Sequence, residues 1–176
     1  MLKPLKNKYI VEPISIYGKT KSGIYTAGSR KDLPIKGVVI SAGGSQAVVG
    51  DIVHIKKYTW KEFWYDGKDL ICIKNEDILA IEREGKILAP EGSVLVKIEY
   101  AEKDGKIYLP DSCKTVRADI RAEVFAVHSK SRYRIYPGDQ IVIVRITDGA
   151  HEGRVIDTSQ GKLWSVYEKW VEGVYV

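Results

Sequence analysis

Hydrophobic and polar residues alternate in short bursts along this chain. The alternation runs over Tyr9–Ile16, Gly37–Ile40, Asp51–Lys56, Asp69–Lys74, Val94–Ile98, Glu123–Val127 and Gln140–Ile146. These segments are rich in Val, Ile and Tyr and are bounded by Gly, Pro, Asp or Ser, the signature of short half-buried strands. Tyr65-Asp66-Gly67-Lys68 predicts a tight hairpin, because Asp-Gly accepts the positive φ angles of a type I′ turn. Asp148-Gly149 and Gln160-Gly161 carry the same signal with less force. No window of about 11 residues keeps apolar side chains at i, i+3, i+4 and i+7, so helix is limited to single turns. Many short strands with regular turns predict an all-β protein built of small barrels or sandwiches.

The strand pattern is written twice. Pro4-Leu5-Lys6-Asn7-Lys8-Tyr9-Ile10-Val11 opens the first half, a loop with the apolar pair Ile24-Tyr25 follows, and a strand at Lys36–Ala42 leads to Gly50-Asp51-Ile52-Val53. From Pro90 the order recurs: a strand at Ser93–Glu99, a loop with Ile107-Tyr108-Leu109, a strand at Arg121–Val127, then Pro137-Gly138-Asp139. The landmarks Pro4/Pro90, Ile24/Ile107 and Gly50/Gly138 lie 86, 83 and 88 residues apart. Unequal intervals fit two domains with loops of different length rather than a solenoid. The expected division is 1–87 and 88–176. Two stretches resist strand assignment, Gly18–Lys36 and Ala101–Ala118, and each follows the first strand of its half. Long connections of this kind in compact domains are usually functional or disordered.

Composition narrows the classes. With 44% hydrophobic and 29% charged residues the chain is an ordinary globular one. No apolar run reaches the roughly 18 residues of a membrane span. The start, Met1-Leu2-Lys3-Pro4-Leu5-Lys6, lacks the apolar stretch of a secretory signal, so a cytoplasmic location is expected. Cys72 and Cys113 do not make a disulfide framework and are read as free thiols. The net charge of +5 belongs to residues 1–87, while residues 88–176 balance to zero. That split argues against a uniformly basic nucleic-acid binder.

These motifs resemble the GroES-type co-chaperonins, in two tandem copies. The resemblance rests on Pro4-Leu5 with Tyr9-Ile10-Val11, on Gly50-Asp51-Ile52-Val53, and on the closing run Asn75-Glu76-Asp77-Ile78-Leu79-Ala80-Ile81. In the second half it rests on Gly105-Lys106-Ile107-Tyr108-Leu109-Pro110, close to the family's mobile-loop pattern, and on Pro137-Gly138-Asp139. It implies two irregular β-barrels, each with a long mobile loop, in a homo-oligomeric ring that caps a GroEL-type chaperonin. That partner, not this chain, would bind ATP. The implied chaperonin-binding residues are Gly23, Ile24, Tyr25 and Thr26 in the first loop and Gly105, Ile107, Tyr108 and Leu109 in the second. No catalytic residue, metal or cofactor is implied.

The chain departs from the family pattern in three places. Thr26 stands where a leucine is expected, so the first loop should anchor less strongly. Gly43–Val49 and Ser129–Tyr136 are all that remains of each roof hairpin, which predicts an open or reduced roof. Trp164–Val171 replaces the acidic closing motif of the second copy. Two barrels per chain point to rings of six or eight barrels from three or four chains, or to a sevenfold ring of one repeat decorated by the other.

Rival readings come from the same residues. Tyr58–Tyr65 interleaves aromatics with charge and could stack single-stranded nucleic acid, as could Arg132-Tyr133-Arg134. Hairpin packing across strands and against the barrel mouth is the favoured reading of the first, and the second takes the same discount. A structural assembly module, for example of a virus particle, would also show tandem β-domains with protruding loops. An enzyme is not indicated. His54, His128 and His151 have no ligand spacing, no phosphate-loop or dinucleotide fingerprint is present, and Asp66, Asp69, Glu76 and Asp77 read as turn and surface residues.

Overall fold

The computed structural model describes residues 2–14, 35–56, 59–98, 120–143, 155–158 and 160–175. Alternation produces strands where it was expected. In the first half these are β1 Lys8–Pro13, β2 Ile35–Ala42, β3 Ile52–Ile55, β4 Lys61–Tyr65, β5 Lys68–Lys74, β6 Ile78–Arg83 and β7 Lys86–Leu88. In the second they are β8 Ser93–Ile98, β9 Ile120–Val127, β10 Gln140–Ile143, β11 Val155–Thr158, β12 Gly161–Tyr167 and β13 Val171–Val174. Helix among the described residues is confined to single 3-10 turns at Asn75–Asp77 and Glu168–Trp170. The Asp66-Gly67 hairpin forms as predicted: Tyr65 pairs with Lys68, and the turn residues have φ of 51° and 78°.

The strands form two sheets, ordered β4-β5-β1-β2-β3-β6-β7 and β11-β12-β8-β9-β10-β13. Apart from β7, the second order reproduces the first position by position, and every pairing is antiparallel. Irregularities coincide as well. The register slips between Ile10 and Val11 against β2, and between Leu95 and Val96 against β9. It slips again between His54 and Ile55 against β6, and between Val142 and Ile143 against β13. Bulges re-aim a strand, and conserving their place keeps the same curvature in both sheets.

The Gly-Asp turns share their chemistry too. Gly50 and Gly138 have φ of 96° and 94°, a conformation that glycine adopts without a Cβ penalty. Asp51 Oδ2 accepts from Val48 N, and Asp139 Oδ2 from Tyr136 N, both at 2.8 Å. Each 3-10 turn is tied to the opening of its own half. Asn75 N donates to Asn7 O at 3.1 Å, and Glu168 N to Gly92 O at 3.0 Å. Trp164–Val171, which lacks the acidic closing run, therefore still builds the same strand and turn.

Among the described residues, three apolar clusters form the core. One, with Tyr9, Val11, Val39, Val53, Ile55 and Ile73, lies within the first sheet. A second, with Val94, Val96, Val124, Ile141 and Ile143, lies within the second. The third joins the sheets: Leu79, Ala80, Ile87 and Ala89 from the first half pack with Leu95, Ile156 and Leu163 from the second. Fully burying a leucine contributes about 1.5–3 kcal/mol, so this seam ties the halves into one body.

Candidate functional site

The residues expected to carry function, Gly23, Ile24, Tyr25, Thr26, Gly105, Ile107, Tyr108 and Leu109, lie outside the described residues. The framework fixes where their segments are rooted. Residues 15–34 join β1 to β2, and residues 99–119 join β8 to β9. These are equivalent strand pairs, so the two segments leave equivalent ends of the two sheets.

The root of the first segment is closely built. Its strands stay paired to Pro13 and Gly37, and Ile14 N donates to Lys36 O at 2.9 Å beyond them. A Cβ on Gly37 would lie 2.6 Å from both Glu12 O and Val11 Cγ1, so only glycine lets the strands approach this closely. Glu12 pairs with Lys68 Nζ at 2.9 Å beside it, an exposed ion pair of little energetic weight. In the second sheet the matching pair is Ile98 with Ala122. Ala122 is fully buried, so this root accommodates the methyl group that the first excludes.

The opposite ends of β2 and β9 lead to β3 and β10 through residues 43–51 and 128–139. β2 spans eight residues, and at about 3.3 Å per residue the two ends lie roughly 23 Å apart. In the first half the connection folds down onto Tyr9. The Tyr9 hydroxyl donates to Asn75 Oδ1 at 2.5 Å and accepts from Gln46 N at 3.0 Å and Ala47 N at 3.4 Å. Gly44 is obligatory there, since a Cβ would meet the Tyr9 hydroxyl. By register, Val94 stands in the second half where Tyr9 stands in the first. Glu168 takes the place of Asn75, and its Oε1 is buried without a hydrogen-bond partner.

An ion pair anchors the Gly-Asp turn of the first half. Arg83 Nε donates to Asp51 Oδ1 at 2.9 Å, and Arg83 Nη2 donates to Asp51 Oδ2 at 2.7 Å. Burial alone would raise the Asp51 pKa, but the bonds from Arg83 and from Val48 N outweigh it and hold the carboxyl below the usual range. Arg83 is held above its ordinary value by the bond to Asp51, against a smaller effect of burial. In the second half, Asp139 makes the equivalent turn bond, accepting from Tyr136 N.

Sequence reasoning missed these pairs, because Arg83 and Asp51 are 32 residues apart. It also placed Asp77 among surface residues, whereas Asp77 is buried and accepts from Lys74 N at 3.0 Å. The short 3-10 turn folds its carboxylate back onto the backbone, a contact that a lone Asp does not announce. His54 is a core histidine bonded to Glu82, and Cys72 is a free thiol. Trp60 of the aromatic stretch packs against the first core, while Trp64 is exposed. Among the described residues no three His, Cys, Asp or Glu side chains are grouped to hold a metal. No helix among them is long and apolar enough to cross a membrane.

Comparison with known proteins gives the lineage. The family model described as "Chaperonin 10 Kd subunit" matches residues 1–82. A co-chaperonin GroES of Bacillus sp. (strain PS3) is 35% identical over 94 residues, which cover 47% of this chain and 100% of that protein. A co-chaperonin GroES of Clostridium botulinum (strain Eklund 17B / Type B) is 36% identical over 90 residues, covering 46% and 96%. One from Anoxybacillus flavithermus is 34% identical over 92 residues, covering 46% and 98%. With a full-length relative matched at this identity, the chain belongs to the chaperonin 10 Kd subunit family.

Proposed function

We propose that this chain is a co-chaperonin that caps a GroEL-type chaperonin cylinder and assists ATP-dependent protein folding without catalysis of its own. The observation that carries the reading is the full-length GroES relatives matched by about half of the chain. The ATP belongs to the cylinder. Residues 1–87 and 88–176 are two tandem GroES-like units, each an irregular barrel with a long mobile loop and a shortened roof. Matched strand order, bulges and Gly-Asp turns support the second unit, which lies beyond the family match. The chain acts in the cytoplasm as part of a homo-oligomeric ring.

The contact is made by Ile24, Tyr25 and Thr26 beside Gly23, and by Ile107, Tyr108 and Leu109 beside Gly105. Ordering a segment on docking costs about 1–2 kcal/mol per residue. Apolar anchors return about 1.5–3 kcal/mol per fully buried side chain. Each loop therefore binds weakly on its own, and several loops on one ring gain grip through high effective concentration. A cap held in this way is released when the cylinder changes state.

The test is replacement of Ile107, Tyr108 and Leu109 by serine. Binding to a GroEL-type cylinder in the presence of ATP should be lost, while the thermal transition of the variant stays at the wild-type temperature. Undiminished binding by a folded variant would remove these residues from the anchor role.

A further inference from the structure

A buried polar pair lies at the largely apolar seam between the sheets. His54 Nε2 lies 2.6 Å from Glu82 Oε1, with His54 almost wholly buried and the Glu82 side chain 23% exposed. Register places His54 opposite Ala80, a member of the seam cluster, and Glu82 lies two residues further along the same face of β6. On its other side His54 pairs with Lys36 of β2. From the second sheet, Asp157 of β11 acts on His54 electrostatically, and its neighbour Ile156 is part of the seam. The charged groups that face the imidazole are thus Glu82 from β6, Lys36 from β2 and Asp157 from β11.

We propose that His54 makes the joint between the two sheets acid-sensitive: protonation of its imidazole accompanies opening of the seam, while the separate core of each sheet persists. Burial disfavours the imidazolium most strongly. The bond to Glu82 and the charge of Asp157 oppose this and Lys36 adds to it, and the pKa stays below the ordinary 6.5. The neutral ring donates Nε2–H to the Glu82 carboxylate. When the seam opens, water reaches the ring and its ordinary basicity returns. Opening therefore takes up a proton. The closed seam has its full stability above about pH 6.5 and loses it as the pH falls below that value. With an ordinary pKa of 6.5 in the open form, the opening equilibrium rises by up to about tenfold between pH 7.5 and pH 5.5.

The test is hydrogen exchange on the full chain at pH 7.5 and pH 5.5, corrected for intrinsic exchange rates. The readouts are edge strands β7 and β11 flanking the seam, with Ile71 and Ile73 of β5 as core references. Wild-type protection at the edges should fall at the lower pH, by up to about tenfold, with the references unchanged. His54→Gln, which keeps an N–H donor for Glu82 but does not titrate, should show no such fall. The proposal is overturned by flat wild-type edges, by an equal fall in His54→Gln, or by core references that lose protection in step with the edges.

Discussion

Replacing Arg83 by methionine isolates the interaction that fixes the Gly-Asp turn of the first half. Asp51 is 3% exposed and accepts from Arg83 Nε, Arg83 Nη2 and Val48 N at 2.9, 2.7 and 2.8 Å. Methionine retains much of the aliphatic packing and removes two of those donors, leaving a buried carboxylate with one backbone partner. Breaking a fully buried pair costs about 3–5 kcal/mol, whereas an exposed pair is worth roughly 0–1 kcal/mol. The Arg83 side chain is 37% exposed, which places the loss between these limits at about 2 kcal/mol. For a protein of this size that corresponds to a drop in Tm of about 4–8 °C. Thermal melts followed by circular dichroism at pH 7 read it directly.

The pH dependence supplies a second signature of the same pair. Because the Asp51 pKa is lowered in the folded protein, the pair's contribution is present above the ordinary value of 3.8 and is lost as the pH falls through the folded pKa. In the variant, burial is opposed by the bond from Val48 N alone, and early protonation relieves the stranded charge. The gap between wild type and Arg83→Met should therefore narrow in acid urea titrations. A Tm within 1 °C of wild type at pH 7, a threshold below the shift expected for about 1 kcal/mol, would refute the reasoning. So would a gap that persists unchanged into strong acid.

Two further substitutions probe the ends of β2. Tyr9→Phe leaves Asn75 Oδ1 and Gln46 N without the hydroxyl and should cost about 1–3 kcal/mol, with faster amide exchange at Gln46 and Ala47. Gly37→Ala drives a methyl group into Glu12 O and Val11 Cγ1 and should cost about 1–3 kcal/mol in urea denaturation. The reciprocal Ala122→Gly in the second sheet should introduce no such clash.

The strands were legible because alternation and turn residues are local. Val94–Ile98 and Asp69–Lys74 each appear within one residue of their final bounds at either end, and Asp66-Gly67 forms its turn between adjacent partners. What escaped depends on partners distant in sequence. The bulge at Ile10/Val11 is a property of the pairing with β2 and leaves no mark in β1 alone. β7 is three residues long and takes its identity from β6 beside it. His54 looks like any isolated histidine until the antiparallel register of β3 and β6 brings Glu82 to it. The candidate contact residues stood out for another reason: an apolar pair or triplet in a long polar connection has no strand or helix to explain it.

The most direct test of the co-chaperonin reading is to mix the chain with a GroEL-type chaperonin, with and without ATP, and examine the particles by pull-down and negative-stain imaging. The account predicts nucleotide-dependent caps on the ends of the cylinder. Their symmetry would count the barrels in the ring. A defined oligomer that binds no cylinder in any nucleotide state would contradict it.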